Sequence, residues 1–204
     1  MIDTIFFDLG NVLVDVNKKL AISAIAKLLR LKTGKVNSMI DLDLEQKFEV
    51  GKLTSTEYID ILNERFDSSS VLNLRKLVQI WALAFPRKTP VCELLENLRD
   101  QAAIFMLSNT NAIHIRAIKK TYDLLDKFDG RILSFELGTR KPDREIYAQA
   151  LKIAKSEPER SIFIDDLSEN IAAARTMGID SHQYRNIFDL KIFLITKGFC
   201  LDRS

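Results

Sequence analysis

The stretch TIFFDLGN at residues 4–11 decides the fold. Its first four residues are apolar or β-branched, which is typical of a short buried strand, and the run ends abruptly at Asp8. Gly10 and Asn11 then favour a turn. Taken alone, an aspartate in this place is usually a turn former or a helix cap. Ligands of open parallel sheets, however, bind just beyond the carboxyl ends of the strands, so Asp8 is a candidate functional residue.

Four more short apolar runs follow later in the chain: Ala102–Leu107, Arg131–Ser134, Ser161–Ile164 and Ser181–Tyr184. Patterns with helical spacing accompany them: Pro90–Arg99, Ala112–Tyr122, Asp143–Ala154 and Ser168–Met177. Short buried strands that alternate with amphipathic helices are typical of a parallel sheet covered by helices on both faces. The sequence therefore predicts an α/β protein with a Rossmann-like parallel sheet. The apolar segment Ile187–Thr196 contains Asp189 and Lys191, and it predicts a terminal helix that docks on this core.

Residues 17–88 interrupt this alternation with one helical pattern after another: Lys18–Leu31, Lys35–Ile40, Leu44–Val50, Ser55–Arg65 and Val71–Leu83. Thr54 and Glu57 form a capping-box signature at the start of the fourth pattern, and the run Ser68–Ser70 separates the last two. The predicted division is an α/β core made of residues 1–16 and 89–204, with an inserted α-helical cap at residues 17–88. Within this segment, Phe48 and Trp81 are predicted to pack in the core.

The composition limits the class of protein. The chain has 204 residues, 47% of them hydrophobic, which suffices for a sizeable core without disulfides or structural metals. A net charge of +2 with no long basic stripe argues against nucleic acid as a partner. Cys92 and Cys200 lie far apart, as do His114 and His182, so a zinc site is not expected and free thiols suit a reducing cytosol. We expect a cytoplasmic protein without signal peptide or membrane span, either a monomer or a weak dimer.

Polar side chains of complementary chemistry follow the predicted strands. Asp8 comes after the first strand, Ser108 after the second, Lys141 in the loop after the third, and Asp165 with Asp166 after the fourth. Donors and a lysine can bind the oxygens of a phosphoryl group, and Mg²⁺ prefers carboxylate oxygens. A carboxylate can also attack phosphorus to give an aspartyl-phosphate. Each residue alone has a simple structural explanation, but their joint occurrence at strand ends indicates a phosphate and magnesium site.

Four segments together resemble the motifs of the haloacid dehalogenase superfamily, in the same order: Phe7–Leu13, Leu107–Thr110, Arg140–Asp143 and Phe163–Asp166. The resemblance covers essentially the whole chain. It implies a phosphoric monoester hydrolase that uses Mg²⁺ and acts on a small phosphorylated metabolite. Within the superfamily, the Asp-Leu-Gly-Asn opening is similar to bacterial phosphatases that hydrolyse α-D-glucose 1-phosphate, which implies a sugar phosphate as substrate.

The resemblance also implies roles for individual residues. Asp8 is the nucleophile and a metal ligand, and the main-chain carbonyl of Gly10 is a second ligand. Asp166 binds Mg²⁺ directly, and Asp165 beside it either binds the ion or supports its ligands. The phosphate is bound by Ser108, Asn109 and Lys141. The helical cap closes over the site and selects the leaving group.

Gly10 departs from the pattern of the superfamily. Most of its phosphatases carry a second aspartate two residues after the nucleophile, which protonates the leaving group and then activates water. Glycine cannot transfer a proton, and general acid–base catalysis is typically worth about 10²–10⁴ in rate. We therefore expect either slow turnover or a substrate with a good leaving group, such as the anomeric hydroxyl of a sugar 1-phosphate.

Three other functions fit parts of the pattern. A haloacid dehalogenase also lacks the second aspartate, but it needs neither Mg²⁺ nor the pair Asp165-Asp166. A non-catalytic or weakly active protein that only binds a phosphorylated ligand would explain Gly10, although Asp8, Ser108 and Lys141 argue for catalysis. A receiver domain uses similar residues in a different order along the chain, and it has no helical insert.

Overall fold

The computed structural model describes residues 1–67 and 71–201 of the chain. Five strands form its sheet: β1 (Thr4–Phe7), β2 (Ala103–Ser108), β3 (Gly130–Leu133), β4 (Ser161–Asp165) and β5 (Asp180–Gln183). They are all parallel and lie in the order β3-β2-β1-β4-β5. The predicted Rossmann-like parallel sheet is therefore confirmed, and each predicted strand lies within one residue of its observed bounds.

The register of the central strand brings the predicted site residues to one edge. In β1, Phe7 pairs with Met106 of β2 on one side and with Ile164 of β4 on the other. The amide of Asp8 continues this ladder by donating to the carbonyl of Ile164 over 2.9 Å. Because parallel strands end at the same edge, Asp8 must lie beside the ends of β2 and β4.

Both faces of the sheet are covered. Successive side chains of a strand point to opposite faces, so Ile5 and Phe7 belong to one apolar cluster and Phe6 belongs to the other. The core helices are α6 (Val91–Arg99), α7 (Ala112–Thr121), α8 (Ser134–Leu137), α9 (Arg144–Ala154), α10 (Ser168–Thr176) and α11 (Ile187–Thr196). Tyr147 of α9 and Ile171 of α10 pack with Phe6. The α11 helix docks through Leu190 and Leu194 on the other face, as predicted.

In the described part of the segment between β1 and α6 there are five helices: α1 (Lys18–Leu29), α2 (Thr33–Met39), α3 (Leu42–Glu49), α4 (Ser55–Arg65) and α5 (Leu74–Ala82). The capping box of α4 is confirmed, since Thr54 accepts from the amide of Glu57 and Glu57 accepts from the amide of Thr54. Phe48 and Trp81 are each 3% exposed, which confirms their predicted burial. The run Ser68–Ser70 lies outside the described residues. That residues 17–88 act as a separate cap stays a prediction.

Two further sequence predictions concern the cysteines and the membrane. Cys92 is buried and Cys200 is exposed, and neither forms a disulfide. None of the helices within residues 1–67 and 71–201 combines the length and the apolar character that crossing a bilayer requires.

Candidate active site

A buried lysine lies at the centre of the candidate site. Lys141 is 2% exposed, and its Nζ contacts Asp8 Oδ1 at 2.7 Å and Asp165 Oδ2 at 2.6 Å. Nζ also donates to the carbonyl oxygen of Leu107 over 2.9 Å. An ammonium has three donors, and all three are used here. The lysine therefore joins the ends of β1, β2 and β4 and fixes one oxygen of Asp8.

The backbone of Lys141 is itself held by Asn109. The Oδ1 of Asn109 accepts from the amide of Lys141, and its Nδ2 donates to the carbonyl of the same residue, each over 2.8 Å. The side chain of Asn109 therefore positions the backbone of Lys141. The phosphate contact predicted for Asn109 is not tested by this arrangement and stays a prediction.

The adjacent carboxylates at the end of β4 differ in their surroundings. Asp165 is fully buried, and both its oxygens are used by Lys141, the amide of Leu167 and the Nδ2 of Asn170. Asp166 is half-buried, and its Oδ2 accepts from Asn11 Nδ2 over 3.0 Å. Asp166 is therefore the more available of the pair for a ligand outside the protein.

The charges of the cluster do not balance within the protein. Asp8, Asp165 and Asp166 supply three carboxylates against the single ammonium of Lys141. Burial raises the pKa of Asp8 to about 7; Lys141 acts against this rise and Asp165 adds to it. Burial also raises the pKa of Asp166. For Lys141, burial disfavours the charge, but the two adjacent carboxylates more than compensate, so its pKa lies above the ordinary range.

The donor set fits a hard divalent cation. One oxygen from each of Asp8, Asp165 and Asp166 can be chosen so that all three lie within 4.8 Å of one another. Oxygen ligands are those that Mg²⁺ prefers, and one or two carboxylates with water and a phosphate complete its shell. A divalent cation would also supply the positive charge that Lys141 alone does not.

Ser108 and the residues after it follow the end of β2, the strand that pairs with β1. Ser108 ends β2 and is 3% exposed. The amide of Thr110 donates to Ser134 Oγ over 2.9 Å, and Ser134 Oγ donates back to the carbonyl of Thr110 over 3.0 Å, which fixes this turn. The chain then enters α7, whose first amides are capped by Asn111. The hydroxyl of Ser108 is suited to a phosphate, whereas the amides of Thr110, Ile113 and His114 already donate within the protein.

A small cavity of about 90 Å³ adjoins this turn. Gly10, Ser108 and Asn109 line it from the sheet edge. The opposite lining includes Lys18, Glu49, Trp81 and His114. A larger groove of about 940 Å³ lies beside Asn11, but neither Asp8 nor Ser108 lines it. The small cavity, unlike the larger groove, therefore adjoins the predicted site.

A charged pair lies beside this cavity, with Glu49 in the lining. Glu49 Oε2 lies 3.3 Å from Arg140 Nη2, and the side chain of Glu49 is only 13% exposed. Burial raises the pKa of Glu49, while Arg140 acts against that rise. Glu49 and His114 were not among the residues predicted from the sequence, because neither belongs to a motif at a strand end.

Comparison with known proteins gives a family match and related phosphatases. A family model of haloacid dehalogenase-like hydrolases matches residues 2–178. A D-ribitol-5-phosphate phosphatase from Bacteroides thetaiotaomicron is 29% identical over 195 residues, which cover 91% of this chain and 93% of that protein. The sesquiterpene phosphatase astK from Aspergillus oryzae is 36% identical over 87 residues, 42% of this chain and 44% of that protein.

Solved structures include a similar fold. The HAD family enzyme bt-2542 from Bacteroides thetaiotaomicron, crystallised in complex with magnesium and inorganic phosphate, matches with a TM-score of 0.81 and 25% sequence identity. The match covers 91% of this chain and 95% of that chain.

Proposed function

The chain belongs to the haloacid dehalogenase-like hydrolase family, and we propose that it hydrolyses a small sugar phosphate or a related polyol phosphate through an aspartyl-phosphate on Asp8. The family, the enzyme class of phosphoric monoester hydrolase and the metal Mg²⁺, all predicted from the sequence, are confirmed. The identity of the substrate, the roles of the site residues and the cap at residues 17–88 belong to the proposal.

The observation that carries the proposal is the fixed orientation of Asp8. Lys141 holds Oδ1, and Oδ2 lies on the side of Gly10, which lines the cavity. In the proposed reaction a carboxylate oxygen of Asp8 forms a bond to phosphorus, and the bond from phosphorus to the ester oxygen breaks. Water then attacks the phosphorus of the aspartyl-phosphate, which releases inorganic phosphate and restores the carboxylate.

The metal would be bound by Asp8, Asp166 and the carbonyl of Gly10. Bound Mg²⁺ screens the repulsion between the anionic nucleophile and the anionic phosphate. Asp165 would contribute mainly through Lys141 and Asn170, because its oxygens already accept hydrogen bonds from these two residues and from a backbone amide.

The phosphate would be bound by Ser108 and by the backbone amides after it, and Lys141, whose three donors contact Asp8, Asp165 and Leu107, would attract it through its charge. Asn109 supports this site by holding the lysine backbone, and its own phosphate contact remains part of the proposal. The proposed cap, residues 17–88, supplies Lys18, Glu49 and Trp81 to the cavity next to the phosphate. Such a segment can select the leaving group by its size and polarity.

The cavity favours a small leaving group. Its volume is about 90 Å³. Lys18, Glu49 and His114 line it together with Trp81 and Phe85, so it offers both polar groups and apolar surface. Covering the polar groups with a terpene that makes no hydrogen bonds would be costly. The size and the polar part of the lining thus support a substrate like that named for the ribitol-phosphate relative rather than one like that named for the sesquiterpene relative.

A magnesium-dependent hydrolysis screen over phosphorylated metabolites tests the proposed function. We expect phosphate release from small sugar or polyol phosphates that stops on addition of EDTA and returns with excess Mg²⁺. In a parallel assay with 2-haloacids, halide release that is insensitive to EDTA would support a dehalogenase instead. Binding of phosphorylated compounds without any turnover would support the non-catalytic alternative. The cytoplasmic location and the monomeric or weakly dimeric state stay predictions.

The glycine at position 10 leads to a second prediction about the same screen. Without a carboxylic acid at this position, the leaving group must depart with little help, so a more acidic alcohol should depart faster. We expect kcat to be higher for α-D-glucose 1-phosphate than for D-glucose 6-phosphate, by about tenfold or more, because the missing acid is worth about 10²–10⁴ in rate. The reverse order of kcat in a matched assay would contradict this role of Gly10.

A further inference from the structure

The cap of helix α7 fixes the orientation of one amide group. Oδ1 of Asn111 accepts from the amides of Ile113 and His114, over 3.1 and 3.0 Å. A backbone amide can only donate, so this atom must be the oxygen of Asn111. The other end of the side chain, Nδ2, is therefore a donor, and it lies 3.2 Å from Nδ1 of His114.

This contact determines the tautomer of His114. Because Nδ2 of Asn111 donates, Nδ1 of His114 must accept and carries no hydrogen. Burial, with a smaller contribution from Lys18, lowers the pKa of His114 to about 3, so the ring is neutral. In a neutral imidazole the hydrogen must then be on Nε2. Among the described residues, no hydrogen bond of the protein uses this Nε2–H group.

The ring is held in place beside the cavity. His114 packs against Trp81 with ring centroids 4.3 Å apart, and against Phe85 at 5.7 Å. Its ring lines the same cavity as Gly10 and Ser108. The position is thus rigid, and the neutral ring lies at the edge of the cavity that Gly10 and Ser108 line.

We propose that His114 is a specificity-determining residue whose Nε2–H donates a hydrogen bond to an oxygen of the sugar or polyol leaving group. This proposal rests on the proposed function. The same cavity contains an acceptor in the carboxylate of Glu49, which is paired with Arg140. A hydroxyl both donates and accepts, so a polyhydroxylated leaving group matches this donor and acceptor, whereas a hydrocarbon leaves the Nε2–H donor of His114 without a partner.

The tautomer can be tested without any substrate. The chain contains two histidines, so long-range ¹H–¹⁵N correlation spectra contain two ring systems, and a His182→Gln variant assigns them. We expect His114 to give the pattern of a neutral ring protonated at Nε2. A ring protonated at Nδ1, or a charged ring at neutral pH, would overturn the proposal.

The role in specificity can be tested with two variants. His114→Phe keeps an aromatic ring against Trp81 but has no donor, and His114→Gln retains an N–H donor. The probes are α-D-glucose 1-phosphate, D-glucose 6-phosphate and glycerol 3-phosphate, with inorganic phosphate as an inhibitor that has no leaving group. For His114→Phe we expect kcat/KM to fall about three- to tenfold with the inhibition constant of phosphate unchanged, and partial recovery in His114→Gln.

The outcomes separate the role of His114 in specificity from the proposed function. An equal loss of affinity for inorganic phosphate and for the esters would assign His114 a purely structural role, and unchanged kcat/KM in His114→Phe would remove it from specificity. A wild-type enzyme that hydrolyses neither these three esters nor any compound of the broader panel of phosphorylated metabolites would contradict the proposed function itself.

Discussion

An Asp8→Asn enzyme is expected to lose phosphatase activity by a factor on the order of 10⁴ or more in kcat. The amide of asparagine is not a nucleophile, and it cannot form the proposed aspartyl-phosphate. The substitution also removes one of the two anions that contact Lys141 and one of three carboxylates of the candidate metal site. Steady-state phosphate release with saturating Mg²⁺ measures the loss.

The same variant should remain folded. Removing one partner of a buried ion pair can cost about 3–5 kcal/mol when the other charge is left alone. Here Lys141 keeps Asp165 at 2.6 Å and the carbonyl of Leu107 at 2.9 Å, so its charge stays compensated. The raised pKa of Asp8 also indicates that its ionised form is costly in this buried place. Thermal unfolding should therefore change little.

A matched control is Asp15→Asn, in the loop that follows β1. Asp15 pairs with Arg87 at the surface, and exposed pairs are worth about 0–1 kcal/mol, so activity should stay within about twofold of the wild type. Asp8→Asn activity above about one per cent of the wild type would mean that another group attacks the phosphate. Equal inactivity of the wild type and Asp8→Asn across a broad panel would favour the non-catalytic alternative.

The sheet and its edge could be predicted because they depend on local sequence patterns. A short apolar run such as Thr4–Phe7 has few options other than a buried strand. Parallel strands then end at one edge, so polar residues after Phe7, Leu107 and Ile164 must meet there. The capping box at Thr54 was predictable for the same reason, because both partners lie within one helical turn.

The composition of the cavity could not be predicted in this way. Glu49 ends α3 and His114 lies in α7, and only the packing of the insert on the core brings both to the edge of the sheet. The hydrogen bonds of Asn109 could not be predicted either. Its side-chain amide bonds to the backbone of Lys141, 32 residues later, and no local sequence pattern indicates this partner. Sequence spacing predicts which elements meet, whereas the direction of each side chain depends on tertiary packing.

A Gly10→Asp enzyme is expected to gain activity on esters with poor leaving groups. The new carboxyl would stand two residues after the nucleophile, where it could protonate the departing oxygen and then activate water. This help is typically worth about 10²–10⁴ in rate, and we expect kcat for D-glucose 6-phosphate to rise on the order of 10²-fold. The gain should be smaller for α-D-glucose 1-phosphate, whose leaving group needs less help.

The backbone of the protein can accept this change. Gly10 is not among the glycines with positive φ, so an L side chain is not strained there. A Cβ at this position would lie 3.2 Å from Cγ2 of Val16 and 3.9 Å from Oδ2 of Asp8. The contact with Val16 is tight, but Val16 is only half-buried and needs to move by a few tenths of an ångström.

Two variants separate the effect of the new carboxyl group from the effect of the added side-chain volume. Gly10→Ala introduces the same Cβ without a carboxyl, and Gly10→Asn adds a side chain of similar shape that cannot exchange a proton. If general acid catalysis is what Gly10 lacks, only Gly10→Asp should raise the ratio of kcat for the 6-phosphate to kcat for the 1-phosphate. If all three variants change that ratio alike, the glycine is retained for the space beside Val16, and leaving-group departure is assisted elsewhere. The ratio is informative because any general loss of stability or metal affinity would lower both rates together.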